Sequence, residues 1–223
     1  LAGDIITKNL GHLSQSDVQT KQAFDFVTKV DRWSESVIMQ VIREKCPSHK
    51  CVTEETLKQE DRGDYRWIID PLDGTTNYIH GYPVFSVSIA LQKAGEIILG
   101  VVFDPLRDEL FYAVKGEGAF LNNEKIRVSE TQDMGRSLIA TGFPFRSKEM
   151  IDTYLKAFRS VFDDVSDLRR AGSAAIDLSY VAAGRIEGFF ELNLSPWDMA
   201  AGSILITEAG GKITDFGGGI DYL

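Results

Sequence analysis

The chain is poor in the residues that staple, break or anchor a fold: among 223 residues there are two cysteines, six prolines and three histidines. Two thiols cannot build a disulfide framework. Cys46 and Cys51 enclose Pro47 and His49 but lack the second ligand pair of a zinc knuckle, so they read as ordinary reduced cysteines and point to the cytosol. Apolar runs are short, as at Ile97 to Leu99, against the roughly 20 residues that span a bilayer, which argues against a membrane helix. The start shows no basic segment followed by an apolar one, so no export signal is expected. Basic charge is scarce as well. Lys and Arg total 24 against 33 Asp and Glu, a net charge of −9, the wrong sign for a surface that neutralises nucleic-acid phosphates. An acidic protein that handles an anion must find local positive charge in backbone N–H groups, a few Arg or Lys, or bound cations.

What is present belongs to an ordinary globular chain, with 43% hydrophobic, 26% charged and 10% aromatic residues. A chain of this length buries enough surface to fold without a metal, so any metal would serve chemistry. No repeat, low-complexity segment or linker divides it, and a single domain over residues 1–223 is expected.

Periodicity gives the elements. Ile5, Ile6 and Leu10 at helical spacing predict a helix ending at Gly11. Trp33, Val37, Ile38, Val41 and Ile42 predict one apolar face of a helix from Asp31 to just before Pro47, with Trp33 in the core. Tyr65 to Ile69 reads as a strand that breaks at Asp70-Pro71. Val84 to Leu91, Ile97 to Phe103 and Leu110 to Val114 follow as short strands with turns between them, predicting antiparallel pairing. Asn122-Asn123 is a further turn, with extended chain resuming from Ile126 to Val128. Tyr154 to Phe162 and Ala174 to Gly184 predict helices, Gly188 to Leu192 a strand, and Asp198 to Ala209 a helix. Lys212 to Asp215 reads as a strand start and Gly217 to Gly219 as a loop.

Three acidic segments carry the chemical signal. In Trp67-Ile-Ile-Asp70-Pro-Leu-Asp73-Gly-Thr-Thr-Asn77 a strand delivers Asp70, and Asp73 follows three residues later. Two hard oxygen ligands at a strand end suit Mg²⁺, which favours carboxylates, water and substrate phosphate. Gly74 lets backbone approach a ligand, and a short helix from Thr75 toward Ile79 would offer free N–H groups. The same residues also make an ordinary capped turn. Glu54-Glu55 reads equally as solvated loop charge, and Asp198, after Pro196-Trp197, as a helix N-cap residue.

Taken jointly, these segments resemble the inositol monophosphatase family of Mg²⁺-dependent, lithium-sensitive sugar phosphatases. Asp70-Pro-Leu-Asp73-Gly-Thr75-Thr-Asn77 is similar to its first signature and Trp197-Asp198-Met-Ala-Ala-Gly202 to its second. Asp25-Phe-Val-Thr28-Lys-Val-Asp31, Glu54-Glu55, Gly142-Phe-Pro-Phe145, Arg169-Arg170-Ala-Gly-Ser173-Ala-Ala and Val181-Ala-Ala-Gly184-Arg keep the family's order over nearly the whole chain. The pattern is most similar to the bacterial inositol-1-monophosphatase branch. One departure is visible: the family's Gly-Glu-Glu-Ser is Thr53-Glu54-Glu55-Thr56 here, which puts loop geometry in question. The chain also lacks the full opening helix and the terminal strand and helix of family members, which implies trimmed or disordered ends.

The resemblance implies an α/β fold (α+β), an αβαβα layered sandwich of the inositol monophosphatase and fructose-1,6-bisphosphatase type. It implies hydrolysis of inositol monophosphate to inositol and phosphate by direct attack of a metal-activated water. Glu54, Asp70 and the Leu72 carbonyl would hold a first Mg²⁺, and Asp70, Asp73 and Asp198 a second. Glu55 would help a third through water, and inhibition by Li⁺ is expected. Thr75, with Asp31 behind it, would orient the water, so Glu54, Thr75 and Asp31 are the candidate catalytic residues. The Gly74 and Thr75 N–H groups would bind the phosphate, and Asp73 and Asp198 also belong to the substrate-binding set. Gly172, Ser173, Ala174 and Glu191 would contact the polyol. Asp31 is equally a helix N-cap residue, and Lys21, near a family lysine, equally a surface one. His12, His49 and His80 match no motif and are expected to be structural.

Rival substrates are fructose-1,6-bisphosphate, 3′,5′-bisphosphonucleotides and histidinol phosphate, since one metal centre serves all and the pocket wall decides. Glu191 and the short loop after Glu55 favour a polyol monophosphate. A dual sugar phosphatase is a further alternative. A different class is a family member acting as a protein-binding regulator, its partner being part of the transcription machinery. The resemblance also implies a cytoplasmic homodimer.

Overall fold

The computed structural model describes residues 1–56 and 64–223. Its strands are β1 (Val18–Gln22), β2 (Asp25–Thr28), β3 (Lys50–Thr53), β4 (Tyr65–Asp73), β5 (Ser86–Lys93), β6 (Glu96–Asp104), β7 (Glu109–Val114), β8 (Gly118–Leu121), β9 (Glu124–Ile126), β10 (Leu138–Thr141), β11 (Asp167–Arg169) and β12 (Gly188–Phe190). The helices are α1 (Ala2–Asn9), α2 (Lys29–Lys45), α3 (Thr75–Ile79), α4 (Ile151–Phe162), α5 (Ala174–Ala182) and α6 (Pro196–Glu208).

A seven-stranded sheet runs in the order β3-β4-β5-β6-β7-β8-β9, antiparallel except for the β3–β4 pair. One face packs on α1 and α2 through Ile6, Val30, Ile38, Ile42, Ile69, Leu72 and Val87. The other packs on α5 and α6, with Val102, Phe111, Leu178, Ile204 and Leu205 in the core between them. Beyond that pair lies a parallel sheet of order β11-β10-β12. Its outer face carries α4, whose buried Tyr154 stacks on Phe190 and lies 3.0 Å from the Thr141 hydroxyl. These are the αβαβα layers expected. Residues of α6 from Ala200 to Ile206 are all buried, as befits a helix walled by sheet on one side and helix on the other. At Gly202 a Cβ would stand 2.5 Å from Leu178 Cβ, so only glycine permits this α5–α6 approach.

Three expectations are corrected. Trp33 is 48% exposed and Val41 40%. The row of α2 that faces the sheet is Val30, Ser34, Ile38 and Ile42, one notch around from the apolar stripe. Polar contacts set that rotation: the Ser34 hydroxyl donates to Pro71 O at 2.8 Å, and Asp31 is drawn inward. Trp33 is left on the flank, where Lys29 Nζ lies 5.4 Å from its ring centroid.

Second, β4 does not break at Asp70-Pro71. It runs on to Asp73 through a register shift, Asp70 pairing with Ser88 and Asp73 with Ser86. Residues three apart on a regular strand face opposite sides. The extra residue of a bulge restores a common side, and a bulge tolerates the missing Pro71 N–H. Third, Lys212 to Asp215 forms no strand and 127–128 leaves the ladder after Ile126, since neither stretch finds a strand edge to pair with. Gly217 and Gly219 N–H groups close a loop on Asp215 Oδ1, as expected.

Neither cysteine forms a disulfide. His49 Nδ1 accepts from Trp67 Nε1 at 3.1 Å and its ring stacks on Tyr65, a structural role. Among the described residues no helix is long and apolar enough to cross a membrane.

Candidate active site

A cleft of about 350 Å³ opens where the end of β4, the start of α3, the start of α6 and the loop after β10 converge. Glu54, Asp70, Leu72, Asp73, Gly74, Thr75, Gly172, Ala174, Glu191 and Asp198 all line it, so the fold brings together nearly every residue expected there. Ser173 and Asp31 stand behind the wall, Ser173 donating to Asp73 Oδ2 at 2.5 Å and Asp31 accepting from Thr75 at 2.9 Å.

The floor is acidic. Carboxylate oxygens of Asp70, Asp73 and Asp198 lie within 4.8 Å of one another, and all three residues are buried. Glu54 lines the same cleft outside that trio, fixed by its N–H donating to Ile69 O at 3.1 Å. Each acid has one oxygen held by protein: Asp70 Oδ1 by Leu72 N–H at 2.9 Å, Asp73 Oδ2 by Ser173 and by Ala175 N–H at 2.8 Å, Asp198 Oδ2 by Ser195 N–H at 2.7 Å. Glu54 Oε1 takes Lys21 Nζ at 3.0 Å and Arg146 Nη2 at 3.2 Å. Their second oxygens accept no hydrogen bond among the described residues. Held on one oxygen and open on the other, these carboxylates are oriented ligands for a hard cation.

Burial and mutual repulsion make the ionised cluster costly. Asp70 is pushed well above the ordinary carboxylate range by burial and by Glu54, Asp73 and Asp198. Burial lifts Asp73 to about 6 against hydrogen bonds from Ser173 and Ala175, and lifts Asp198 to about 7 with help from Asp73. A divalent cation would relieve this, so the donor set fits Mg²⁺. The Leu72 carbonyl also accepts the Thr75 hydroxyl at 3.0 Å and keeps a second lone pair.

Asp31 is not the N-cap of α2, which is Thr28; it stands three residues on, as the acid of the capping box. Its Oδ2 accepts Thr28 N–H at 2.9 Å, completing the capping box of α2, while Oδ1 faces Thr75. Burial raises it to about 6, opposed by hydrogen bonds from Thr28 and Thr75. Asp198 likewise is not the N-cap of α6, which is Ser195, but closes its capping box from the third helical position and joins the cluster. Helix α3 begins at Thr75 as expected, its N-cap Gly74 at φ +91°. Asn77 Nδ2, within 2.8 Å of Val84 O and 2.9 Å of Ala171 O, ties this turn to the loop before α5.

Glu54 and Glu55 are not solvated loop charges: both side chains are at most 7% exposed. Lys21 lies on an exposed stretch of β1, yet its side chain is only 21% exposed and bridges Glu54 at 3.0 Å and Glu55 at 2.5 Å, carboxylates that outweigh its burial and keep it charged. The Thr53 departure is accommodated without strain. Thr53 lies buried in β3, outside the positive-φ residues, and its hydroxyl accepts Thr56 N–H at 3.2 Å. Thr56 Oγ1 in turn donates to Glu35, which also accepts Glu55 N–H at 3.1 Å. The loop after Glu55 lies outside the described residues from position 57 to 63.

The far wall holds Glu191, lifted to about 8 by burial and by Asp198 and Asp73. Basic and aromatic groups went unforeseen there: Arg146, Arg170, Lys148 and Phe24 line the cleft, Lys148 Nζ lying 3.1 Å from the Phe24 ring centroid. Arg146 adjoins one motif singled out in the sequence and Arg170 lies inside another, the one signal that could have found them.

A layered α/β sandwich with a buried acid trio at a bulged strand end defines a class, and sequence comparison gives it a name. The model of the inositol monophosphatase family matches residues 1–223, and the chain belongs to that family. It is 47% identical to the Nus factor SuhB of Escherichia coli (strain K12) over 223 residues, covering 100% of this chain and 84% of that protein. The crystal structure of the extragenic suppressor protein suhB from Bartonella henselae superposes with a TM-score of 0.94 at 43% identity, over 99% of this chain and 85% of the other. The inositol monophosphatase from Anabaena (Nostoc) sp. PCC 7120 gives a TM-score of 0.87 at 40% identity, over 98% and 81%.

Proposed function

We propose that the chain is a Mg²⁺-dependent phosphomonoesterase that hydrolyses inositol monophosphate. The observation that carries this is the trio Asp70, Asp73 and Asp198, each with one oxygen held and one open, beside a hydroxyl backed by a buried carboxylate. Bound divalent cations would make water a nucleophile at neutral pH and neutralise charge on the leaving oxygen. Glu54, Asp70 and the Leu72 carbonyl form one ligand set, and Asp70, Asp73 and Asp198 the other. Glu55 would assist a third ion through water.

The chain's own part is positioning. The Thr75 proton points at Asp31 or Leu72 O, which leaves the hydroxyl's lone pairs toward the cleft to accept from an attacking water. Thr75 opens α3, so its N–H has no intrahelical partner and is available to the phosphate, as is that of its N-cap Gly74. Glu191 and the backbone of Gly172, Ser173 and Ala174 would meet the polyol hydroxyls. A cytoplasmic homodimer belongs to the same reading. A monomer mass by light scattering would remove the dimer.

The deciding assay is phosphate release from inositol 1-phosphate, fructose-1,6-bisphosphate and a 3′,5′-bisphosphonucleotide, each with Mg²⁺, with EDTA and with added Li⁺. Selective Mg²⁺-dependent release from inositol 1-phosphate, suppressed by Li⁺, is expected. Faster bisphosphate turnover would replace it with a sugar bisphosphatase, and no release would remove the enzyme reading. The relatives named Nus factor favour a second reading, that the chain also binds a protein of the transcription machinery. A pull-down of such a partner that survives Asp70→Asn supports that role; loss of all capture by the wild type removes it.

A further inference from the structure

Arg146 follows Phe145 in the loop between β10 and α4 and sends its guanidinium into the acidic cleft. Its Nη2 lies 3.2 Å from Glu54 Oε1, its Nη1 3.8 Å from Asp198 Oδ2 and its Nε 3.4 Å from Asp25 Oδ2. One cation thus touches a member of each proposed ligand set. These acids hold it charged, and the side chain is 25% exposed. It is also ill satisfied. The buried Nε–H makes no hydrogen bond of good geometry among the described residues and meets Asp25 only as an ion pair at 3.4 Å. A guanidinium cannot release its proton, so its charge near the floor is permanent.

Such a charge has two opposed effects. It offsets repulsion among Glu54, Asp198 and Asp25 and steadies the fold around them. It also repels any divalent cation that the same carboxylates would take, a few ångströms away in a cleft where screening is weak.

We propose that Arg146 is a resident counter-cation of the acidic cleft, a positioning residue that opposes entry of divalent cations and sets how tightly Glu54 and Asp198 hold them. This rests on the phosphatase reading of the same site. The pocket exchanges one fixed charge for mobile ones, and Arg146, released from its carboxylates by a loaded cation, has its donors facing the cleft.

The test is Mg²⁺ titration by calorimetry of wild type, Arg146→Gln and Arg146→Lys at pH 8.5, where protons compete least for the carboxylates. Melting temperatures in EDTA and in saturating Mg²⁺ accompany it. Arg146→Gln is expected to bind Mg²⁺ at least tenfold more tightly, and Arg146→Lys within about threefold of wild type, because charge rather than shape opposes the ion. Arg146→Gln is expected to melt lower than wild type in EDTA and to recover that loss in Mg²⁺. Unchanged or weaker Mg²⁺ binding by Arg146→Gln, or an equal melting deficit with and without Mg²⁺, overturns the proposal while the metal site stands. Failure of the wild type itself to bind Mg²⁺ strikes the phosphatase reading first and the proposal with it.

Discussion

The Thr75 hydroxyl donates to Asp31 Oδ1 at 2.9 Å across 44 positions of sequence, and Asp31 is fully buried. The contact joins the first turn of α2 to the first turn of α3 over the end of β4. Because Asp31 Oδ2 is already taken by Thr28, this carboxylate cannot swing away. The Thr75 rotor is therefore held between this fixed carboxylate and Leu72 O.

That coupling predicts a split in kinetics. Thr75→Ala and Asp31→Asn should each lower kcat by about 10²- to 10⁴-fold, the range of positioned proton transfer, while Mg²⁺ affinity changes little. Thr75→Ser, which keeps the hydroxyl, should stay within about tenfold of wild type. Steady-state phosphate release with parallel Mg²⁺ calorimetry measures both, and a loss confined to KM would remove Thr75 from the orienting role.

Relief of repulsion makes a second prediction run against intuition. Asp70→Asn and Asp198→Asn each delete a buried like charge. In EDTA both variants should melt at or above wild type, yet lose the Mg²⁺-induced rise and at least about 100-fold of Mg²⁺-dependent turnover. Scanning fluorimetry with and without Mg²⁺ reads this directly. Near wild-type rates in either variant would sink the ligand assignment.

The same raised carboxyls fix a pH dependence. Asp73 at about 6 and Asp198 at about 7 exceed the ordinary 3.8, and Asp31, Glu191 and Asp177 share that sign. Between these values the native state binds more protons than the unfolded one, so stability is full below about 4 and falls as pH rises toward 7 to 8. In EDTA the melting temperature should drop by about 5 °C or more from pH 5 to pH 8. Saturating Mg²⁺ should cancel that drop, because cations displace the protons; a melting temperature that rises with pH in EDTA would contradict the buried cluster.

Periodicity made the large elements legible, and residue chemistry made most of the site legible. Ile97 to Phe103 is an unbroken apolar run with Val102 in the core, and Asp198 to Ala209 buries nearly continuous apolar surface, so its pattern survives any rotation. Trp33 does not, because Ser34 and Asp31 turn α2 by polar contacts that an apolar stripe cannot foretell. β10 and β11 are short pieces whose pairing is decided by distant partners. Asp70 and Asp73 were expected at one place through a turn, and a bulge against Val87 puts them there instead. Arg146 is a single charge in a loop, without period or spacing, and only the fold shows which acids it meets.

Glu191 tests where specificity resides. Its carboxyl is lifted to about 8 and packs against Gly142, clear of the acid trio's hydrogen bonds. Glu191→Gln should therefore leave Mg²⁺ affinity intact and raise KM for inositol 1-phosphate by about tenfold, the worth of one buried hydrogen bond. Hydrolysis of p-nitrophenyl phosphate, which offers no polyol, should change less than about threefold. Equal losses on both esters would take Glu191 out of polyol recognition.

Gly74 joins backbone conformation to the chemistry. It sits at φ +91° between Asp73 and Thr75, and a Cβ there would stand 2.9 Å from Val84 O, a backbone atom that cannot step aside as a flexible side chain would. Gly81, two residues beyond the end of α3, has φ +66° with nothing within 4 Å of an added Cβ, so it carries the conformational cost alone. Gly81→Ala should cost about 1 kcal/mol and leave turnover near wild type. Gly74→Ala should cost about 1–3 kcal/mol and more than Gly81→Ala, because strain and clash add. It should also cut kcat by at least about 100-fold, since relief of the clash must move Asp73 or Thr75, and a 1 Å displacement of a reacting group has that effect. Denaturant melts and kinetics on the pair separate the two contributions. Equal stability losses would mean that Val84 yields, and full activity in Gly74→Ala would mean that the turn does not set the geometry of Asp73 and Thr75.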